Sequence, residues 1–464
     1  MIPPGAPIVT ALEMRGAEEE VFRHVPQDEV MERAGAAVAR EAARFAMGRP
    51  VLVVAGPGNN GGDAYVVARL LKAEGHDVAV AALGDPKTRC AATMAAQWDG
   101  PVASLYEARA RPVLVDGLFG TGMTRPLERS VQALLKHLAN DAEFVLAIDL
   151  PSGLETDTGA HLGAPHANAT VALAALKPAH VLDAGLEYCG QILLADIGIP
   201  VDTRWRTVAR PRLVAPGPGS HKYSRGLVAV VECAMPGAAR LAAGAAMAGG
   251  AGYVTLVGAE PQGGGLDALV RRVIDGGDGL ADFLADERIS AVVIGPGLGR
   301  ERRAEGLLKA ALACQHPLVL DGDALTLLGK SVPRWLQGRR AQTWLTPHSG
   351  EFDRMFGEAS GSKIERTLAA ATESGATVIH KGADTVIATP KGEVRVLAGA
   401  SSWLSTAGTG DVLAGLVAAQ AGRGALGAAE VAVWLHARAA ALAGPAFTAD
   451  GLIGHIPGAI EECL

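Results

Sequence analysis

The sequence is poor in the features that would indicate a secreted, membrane-spanning or nucleic-acid-binding protein. Its five cysteines are odd in number, widely spaced and form no CxxC pair, which favours a reducing compartment. The scattered arginines and the net charge of -7 leave no basic stripe for nucleic acid. Charges interrupt each long apolar run, and the first twenty residues lack the pattern of an export signal. We therefore expect a cytoplasmic protein that binds small molecules and has neither nucleic acid nor membrane as a partner.

The composition provides ample material for buried cores. Hydrophobic residues make up 49% of the chain and charged residues 20%, which argues against extended disorder. At 464 residues the chain exceeds what one hydrophobic core usually covers, so two domains are expected. Between residues 200 and 220, prolines, glycines and arginines replace the apolar periodicity. We predict a first domain over residues 1–208 and a second over residues 209–464.

Both halves alternate short buried strands with helices, which is typical of α/β domains, and in the first half this alternation predicts a parallel sheet. A helical pattern covers residues 11–45 with a break at Pro26. Predicted strands of the first half lie at residues 51–55, 78–82, 113–116, 144–149, 170–174 and 192–196. Predicted strands of the second half lie at residues 227–231, 253–257, 291–294, 318–320, 377–379 and 385–388. Helices are expected after Asp411 and over residues 428–443.

A glycine turn runs directly into an apolar helical pattern in SSWLSTAGTGDVLAG, residues 401–415. Gly408 and Gly410 remove side chains that would keep a phosphate away from the backbone, and the helix would direct free N–H groups at the same space. Asp411 beside a phosphate is repulsive unless a cation or a transferable proton is present, which indicates chemistry. By itself, however, the motif is explained equally well as a capped helix after a turn.

Three polar turns in the first half follow predicted strands: GPGNNGGD from residue 56, VDGLFGTGMTRP from residue 115 and IDLPSGLETDTG from residue 148. In doubly wound sheets, such strand ends converge on one crevice. Asn60, Asp116 and Ser152 would supply hard oxygen donors there, suited to potassium or magnesium and unsuited to zinc. Taken alone, each turn is better explained by side chains that bond their own backbone.

Together and in this order, GPGNNGGD, VDGLFGTG and DLPSGLETDTG, with the leading MERAGAAVA helix, resemble the NAD(P)H-hydrate epimerase domain. The resemblance implies a Rossmann-like three-layer fold and a potassium ion held by Asn60, Asp116 and Ser152. Asp149 would be the catalytic acid or base, because it ends a buried strand without an obvious cationic neighbour in sequence, so burial would raise its pKa. The alternative is that Asp149 bonds the N–H groups of the following PSG turn. The implied substrate-binding residues are Asn59, Asn60, Gly61, Gly62, Asp63, Gly120, Thr121, Gly122, Met123, Thr124, Arg125, Pro126 and Asp149.

In the second half, ISAVVIGPGLG, LVLDGDAL, TPHSGE, KGADTVI and AGTGDVLAG resemble the ribokinase-like α/β superfamily, and the last three are most similar to ADP- or ATP-dependent NAD(P)H-hydrate dehydratases. The resemblance implies that Asp411 is the catalytic base and faces the hydrate with Gly297 and His348. His348 has an alternative role as the cap of the helix GEFDRMF. The implied nucleotide-binding residues are Lys381, Gly382, Ala383, Asp384, Thr385, Ser401, Ser402, Trp403, Leu404, Ser405, Thr406, Ala407, Gly408, Thr409 and Gly410.

Two segments depart from the dehydratase pattern. The chain has Val231, Glu232 and Cys233 where the family often has a glycine-rich strand end. It also has SSW from residue 401 where the family often has NPG. These departures leave the preference between ADP and ATP open.

The two resemblances imply a bifunctional enzyme of nicotinamide-cofactor repair, an isomerase fused to a lyase, and a homo-oligomer is expected. One domain would epimerise the R and S forms of hydrated NADH and NADPH, and the other would dehydrate the S form at the expense of ADP or ATP with magnesium. Because hydroxide is a poor leaving group, the nucleotide would first phosphorylate the ring hydroxyl, and elimination would then expel phosphate. The alternative is a vitamin or sugar kinase fused to a nucleotide-binding regulatory domain, since fold does not decide function.

Overall fold

The chain divides into two compact units in a computed structural model that describes residues 2–259 and 266–464. The first unit is Met1–Thr207 and the second is Val208–Leu464. Each unit contains alternating helices and strands, so the α/β class predicted for both halves is confirmed.

The first unit is built around a parallel sheet. Its helices are α1 (Ala11–Phe22), α2 (Gln27–Ala46), α3 (Asn59–Ala73), α4 (Arg89–Ala96), α5 (Arg129–Asp141) and α6 (Asp183–Cys189). Its strands are β1 (Val51–Ala55), β2 (Val78–Ala82), β3 (Val102–Ser104), β4 (Val113–Gly117), β5 (Phe144–Ile148), β6 (Ala169–Leu173), β7 (Gln191–Ala195) and β8 (Trp205–Thr207). The first seven strands lie in the order β3-β2-β1-β4-β5-β6-β7. Because the order reverses between β1 and β4, their carboxyl ends flank a crevice.

Apolar residues cover both faces of this sheet. In β1, Val51 and Val53 pack among residues of α2 and α3, whereas Leu52 and Val54 pack among residues of α5. Successive side chains of a strand point to opposite faces, so a strand that is apolar at every position is buried on both. The unit is therefore the three-layer domain that the resemblance implied, and VLVVA is the fully buried strand that its apolar run predicted.

The second unit is built around a mixed sheet. Its helices are α7 (Pro236–Ala248), α8 (Gly276–Phe283), α9 (Arg302–Ala313), α10 (Gly322–Leu328), α11 (Val332–Leu336), α12 (Ser349–Phe356), α13 (Lys363–Ser374), α14 (Thr409–Ala419), α15 (Ala425–Ala443) and α16 (Ala449–Glu461). Its strands are β9 (Leu227–Val231), β10 (Tyr253–Gly258), β11 (Val270–Val273), β12 (Ile289–Ile294), β13 (Leu318–Leu320), β14 (Thr343–Leu345), β15 (Thr377–His380), β16 (Asp384–Ala388) and β17 (Val394–Ala398). They lie in the order β11-β10-β9-β12-β13-β14-β15-β16-β17, and β16 runs antiparallel to both of its neighbours.

Sequence reasoning missed β3, β8, β11, β14 and β17, which lack a long apolar run. All three residues of β3 are exposed, β11 contains two arginines and β14 is only three residues long. The sheet of the second unit is mixed, because the short connection between β15 and β16 forms a hairpin. Asn59–Asp63, expected in a turn, forms the start of α3.

Helix α15 contains the apolar window Leu426–Ala443, which by length and composition alone could cross a membrane. Half of this window is buried inside the protein. Helix α15 packs against α14 and α16, as expected of a core helix in an α/β unit.

The close packing of α14 on α7 depends on a glycine. A Cβ added to Gly415 would stand 2.0 Å from the backbone oxygen of Ala242, which cannot move without displacing its helix. We expect Gly415→Ala to lower the free energy of unfolding by about 1–3 kcal/mol, measured by urea denaturation. Gly237→Ala, in α7 with no atom within 4 Å of the new methyl, is the control and should be neutral or stabilising. Equal effects of the two changes would contradict the packing argument.

Candidate active sites

The first cavity lies in the first unit, where the strand order reverses. Gly58 follows β1, Leu118 follows β4 and Asp149 follows β5, and all three line a cavity of about 500 Å³. Helices α1 and α2 also contribute to its wall. This is the place where open α/β sheets bind their ligands.

The cavity collects most of the substrate-binding residues that the resemblance implied. Those in its lining are Asn59, Asn60, Asp63, Gly120, Thr121, Gly122, Met123 and Asp149. Thr124, Arg125 and Pro126 line a neighbouring cavity of about 770 Å³. The two cavities share Gly122 and Met123, so the loop after β4 joins them.

Two of the implied residues have a different place. Of the described residues, the lining omits Gly61 and Gly62, which let α3 pack closely on its surroundings. A Cβ on Gly61 would stand 1.8 Å from the backbone oxygen of Gly56, and one on Gly62 would stand 2.5 Å from the sulfur of Met31. Their small size thus serves packing beneath the cavity.

A buried ion pair lies at the wall of the first cavity. Lys177 Nζ donates to Asp149 Oδ1 at 2.5 Å, and the side chains of Lys177 and Asp149 are 1% and 8% exposed. Asp149 has no cationic neighbour in sequence, but the fold supplies one in Lys177, which follows a different strand 28 positions along the chain. The alternative of bonds to the PSG turn is wrong, since Asp149 Oδ1 accepts instead from the backbone N–H of Leu173 at 3.1 Å.

His180 holds the backbone of both members of this pair. Its Nδ1 accepts from the backbone N–H of Lys177 at 2.9 Å, so its Nε2 carries the proton and donates to the backbone oxygen of Asp149 at 2.6 Å. Burial, helped by the charge of Lys177, lowers the pKa of His180 to about 4, which keeps the ring neutral. Asp149 itself has a φ of 61°, a strained conformation that persists where the surroundings enforce it.

Two further acids line the first cavity near the ion pair. Burial raises the pKa of Asp63 well above the usual range, and the charges of Asp149 and Glu18 raise it further. Burial also raises the pKa of Glu18, although the charge of Lys177 acts in the opposite direction. The cavity therefore favours carboxyl groups that keep a proton beside one that is paired with a cation.

The three residues implied to hold potassium meet around the turn that follows β4. Ser152 Oγ donates to Asp116 Oδ1 at 2.6 Å, and the backbone N–H of Ser152 donates to Asp116 Oδ2 at 2.8 Å. Asn60 reaches the same turn, because its Oδ1 lies 2.9 Å from the position of a Cβ on Gly120. Burial raises the pKa of Asp116, and its hydrogen bonds with Ser152 and Leu118 oppose this rise.

The donor set fits a hard monovalent cation. Asn60 Nδ2 is buried and has no hydrogen-bond partner among the residues that the structure describes, and rotating the amide would present an oxygen there instead. A cation beside Asp116 would also offset the cost of burying its carboxylate. Within residues 2–259 and 266–464, no three His, Cys, Asp or Glu side chains are grouped so as to hold a metal ion.

The second cavity lies in the second unit and has a volume of about 630 Å³. Its wall includes His348 and the following members of the implied nucleotide site: Lys381, Gly382, Ala383, Thr385, Ser401, Ser402, Leu404, Ser405, Thr409 and Gly410. Apolar side chains of Leu397, Leu413 and Val433 complete a wall suited to a flat base.

The other implied residues of the second site do not line this cavity: Gly297, Asp384, Trp403, Thr406, Ala407, Gly408 and Asp411. Asp384 is buried, and its Oδ1 accepts a hydrogen bond from Lys363 Nζ at 2.5 Å. This bond holds the turn after Lys381 in place. Trp403 is exposed, and Gly408, with a φ of 90°, leaves room for Leu241. Gly297 also has a positive φ, of 63°, and a Cβ there would stand 2.2 Å from the backbone oxygen of Met235.

A lysine between two aspartates lies beneath the start of α14. Lys381 Nζ donates to Asp321 Oδ1 at 2.9 Å, and Gly410 leaves the space that this ammonium group occupies. Burial alone would lower the pKa of Lys381, but the charge and hydrogen bond of Asp321 raise it. Burial, followed by the charge of Asp321, raises the pKa of Asp411 to about 6, and Lys381 opposes this rise. Asp411 is thus suited to exchange a proton near neutral pH.

The two helices that begin at this cavity differ in their caps. Helix α14 begins after Gly408, and no described side chain bonds its first N–H groups. At α12, His348 Nδ1 accepts from the N–H groups of Gly350 and Glu351, and Glu351 accepts from the N–H of His348 at 2.9 Å. The capping role considered for His348 is therefore confirmed, and only α14 offers free N–H groups to an anion.

Sequence reasoning missed Lys177, His180 and Asp321. The signal for Lys177 was available, because a lysine inside the apolar run VALAALKPAHVL cannot be buried without a partner. Asp321 was visible in LVLDGDAL directly after a buried strand. No local pattern identifies His180, whose role depends on two backbone contacts.

Both units are α/β domains of an enzyme class in which an acid–lysine cluster lies near a cavity at the ends of strands. In the second unit, the uncapped start of helix α14 lies at the same cavity and suits a phosphate. A family model described as YjeF-related protein N-terminus matches residues 27–179, and one described as NAD(P)H-hydrate dehydratase matches residues 230–455. The chain is 34% identical to the bifunctional NAD(P)H-hydrate repair enzyme Nnr of Mycobacterium tuberculosis, over 88% of this chain and 87% of that relative. The Nnr of Thermofilum pendens is 33% identical, over 95% of this chain and 91% of that relative.

One similar solved structure is an ADP/ATP-dependent NAD(P)H-hydrate dehydratase from Bacillus subtilis, co-crystallised with ATP and magnesium. It is 26% identical with a TM-score of 0.48, and covers 55% of this chain and 95% of its own. The chain belongs to the bifunctional NAD(P)H-hydrate repair enzymes. It is an NAD(P)H-hydrate epimerase and an ADP/ATP-dependent NAD(P)H-hydrate dehydratase, which confirms this prediction over the alternative of a vitamin or sugar kinase.

The raised pKa of Asp411 has a consequence for stability. The folded protein favours the protonated acid up to about pH 6, whereas aspartates of the unfolded chain titrate near 3.8. The stability that protonation contributes is present below pH 3.8 and is lost as the pH rises through 6. We expect Asp411→Asn, which is neutral at every pH, to raise the thermal midpoint more at pH 8 than at pH 5. The same shift at both pH values would contradict this assignment.

Proposed function

We propose that epimer exchange takes place in the first cavity and nucleotide-dependent dehydration in the second, with the domains divided at residues 208 and 209. The observation that carries this division is that each cavity has its own acid–lysine cluster. Asp149 and Lys177 lie within the first family match, and Asp321, Lys381 and Asp411 lie within the second. Each cluster is complete within one unit, so neither reaction needs residues of the other.

In the first cavity, Asp63 is the proton donor and Asp149 is the proton acceptor. Moving the hydroxyl between the faces of the ring requires the loss and return of water, and hence a proton donor and an acceptor. The raised pKa of Asp63 favours the donor form, whereas Lys177 stabilises the charged acceptor form of Asp149. Asp63 protonates the leaving hydroxyl as the carbon–oxygen bond breaks. Asp149 takes a proton from the water that returns, and transfer of this proton to Asp63 restores the site.

Potassium would be held by Asn60, Asp116 and Ser152. The support is the close contact of Asp116 with Ser152 and the orphaned buried amide nitrogen of Asn60. When bound, the cation would keep the Asp116 carboxylate ionised. This chain's own bonds from Ser152 and Phe119 fix the turn that forms the edge of the cavity.

In the second cavity, the uncapped N–H groups of α14 and the ammonium group of Lys381 suit the nucleotide phosphates, which would carry magnesium. Asp411 accepts the proton of the ring hydroxyl while the hydroxyl oxygen bonds to the terminal phosphorus of the nucleotide. The bond between that phosphorus and the rest of the nucleotide breaks in the same step. The carbon–oxygen bond then breaks and phosphate leaves, and the adjacent ring carbon loses a proton to the released phosphate as the carbon–carbon double bond forms. A cytoplasmic homo-oligomer remains a prediction.

Single variants separate the two sites. We expect Asp149→Asn to lower epimer exchange at least about a hundredfold, because proton transfer by a positioned side chain contributes about that much. Nucleotide-dependent return of dihydronicotinamide absorbance from the S hydrate should persist. Asp411→Asn should show the reverse. Loss of both activities in either folded variant would contradict separate cavities.

A second variant removes the effect of stability from this test. Asp149→Asn leaves the Lys177 ammonium group buried without its charge partner, which costs about 3–5 kcal/mol in comparable buried pairs. The double variant Asp149→Asn, Lys177→Met should regain much of that stability in a melting curve and still lack epimer exchange. Recovery of exchange together with stability would remove Asp149 from the mechanism.

Potassium dependence tests the ion assignment. We expect exchange of potassium for tetramethylammonium to lower both epimer exchange and the thermal midpoint, because Asp116 then stays buried without a cation. Asp116→Asn should make the midpoint independent of potassium, since the neutral amide carries no charge to compensate. The dehydratase activity is the internal control. If the thermal midpoint of the native protein does not change with potassium, the assignment is wrong.

A further inference from the structure

A serine and a histidine form a short hydrogen-bond relay at the wall of the second cavity. Ser349 is the first residue of α12, is exposed and lines the cavity beside Lys381. Its Oγ lies 3.1 Å from His380 Nε2, and His380 Nδ1 lies 3.2 Å from Thr367 Oγ1. The ring of His380 stacks on Phe352 with a centroid distance of 4.2 Å and an interplanar angle of 9°. The histidine is therefore fixed in position and orientation.

The direction of the relay follows from its last member. Thr367 Oγ1 donates its only hydrogen to the backbone oxygen of Lys363 at 2.7 Å, so it can only accept from His380 Nδ1. The Nε2 of His380 is then unprotonated and accepts the hydroxyl hydrogen of Ser349. Burial, followed by the charges of Lys363 and Arg366, lowers the pKa of His380 to about 3, which keeps the ring neutral at working pH. Ser349 thus presents only oxygen lone pairs to the cavity.

The neighbouring backbone does not favour phosphate at Ser349. The N–H groups of Gly350 and Glu351 are already bonded to His348, and the Glu351 carboxylate adds negative charge at this helix start. The open start of α14 lies in the same cavity and is the better phosphate site. The part of a ligand that reaches Ser349 is therefore a neutral hydrogen-bond donor.

We propose that Ser349 is a specificity-determining residue of the dehydratase, whose hydroxyl oxygen, held by His380 and Thr367, accepts a hydrogen bond from an amino or hydroxyl group of the nucleotide or the hydrate. This inference rests on the proposed assignment of both ligands to the second cavity. A carboxamide or adenine amino group and a ribose hydroxyl share the required chemistry. His380 and Thr367 are positioning residues, since they act through Ser349.

The test separates the two ligand sources. For Ser349→Ala, KM is measured for ADP and ATP at saturating S hydrate, and for the hydrate at saturating nucleotide. We expect one of the two KM values to rise about three- to tenfold, the range for one lost neutral hydrogen bond, with kcat within about twofold. Calorimetric titration with ADP and magnesium, and separately with NADH, identifies the ligand without turnover. Unchanged KM values and affinities for both ligands would overturn the proposal.

Variants of Thr367 test the relay itself. Thr367→Val keeps the shape but removes the acceptor, so His380 can carry its proton on Nε2 and Ser349 can turn its hydrogen towards the ligand. We expect the same KM to rise as in Ser349→Ala, and Thr367→Ser to restore it. Thr372→Val, on the exposed side of the same helix, is the matched control and should change neither KM. A Thr367→Val enzyme with native KM values would contradict the relay.

Lys381→Ala distinguishes the failure of this inference from the failure of the proposed site. If Lys381→Ala abolishes dehydration while Ser349→Ala leaves both KM values unchanged, the cavity is the active site and only the role of Ser349 is wrong. If Lys381→Ala also retains native kinetics, the site assignment is wrong, and the inference about Ser349 falls with it.

Discussion

The pairing of two lysine side chains, one buried and one partly buried, is the constraint on which both cavities depend. An ammonium group removed from water is stable only beside a carboxylate, so Lys177 requires Asp149 and Lys381 requires Asp321. Each pair joins residues that are distant in sequence, at the carboxyl ends of strands of one sheet. The pairs therefore hold the loops after these strands in register and place charged groups where the sheet leaves a crevice.

A neutral histidine lies next to each of these lysines, in space or in sequence. His180 bonds the backbone of Lys177 and Asp149, and His380 directly precedes Lys381 and is fixed between Phe352 and the hydroxyl of Ser349. Burial is the main cause of the lowered pKa of each ring, and a nearby lysine contributes to both. A neutral ring has one donor and one acceptor nitrogen, and the hydrogen-bond partners of each ring decide which nitrogen is the donor. These histidines are fixed hydrogen-bonding groups next to sites where other residues exchange protons.

The sequence predicts the strands with continuous apolar runs, because burial on both faces leaves a local pattern, and VLVVA coincides with β1. It also predicts that Asp116 and Ser152 converge, since both follow strands of one parallel sheet. It does not predict that Lys177 pairs with Asp149, because that contact depends on which strands become neighbours. It also assigns Gly61 and Gly62 to the ligand, although their neighbours are backbone and side-chain atoms beneath the cavity. Glycine patterns report small size but do not say what occupies the space.

The balance of charge in each cavity agrees with the reaction assigned to it. In the first cavity, Asp63, Glu18 and Asp149 share one buried lysine, so burial keeps protons on the acids that the lysine does not pair with. Such a site can supply and recover a proton without net change, as an isomerase requires. In the second cavity, the attraction of Lys381 limits the rise in the pKa of Asp411 to about 6. That acid is ionised at neutral pH and can accept the proton released by phosphoryl transfer. On this assignment, the same residue types suit two different reactions because burial keeps a proton on Asp63, whereas Asp411 can exchange its proton near neutral pH.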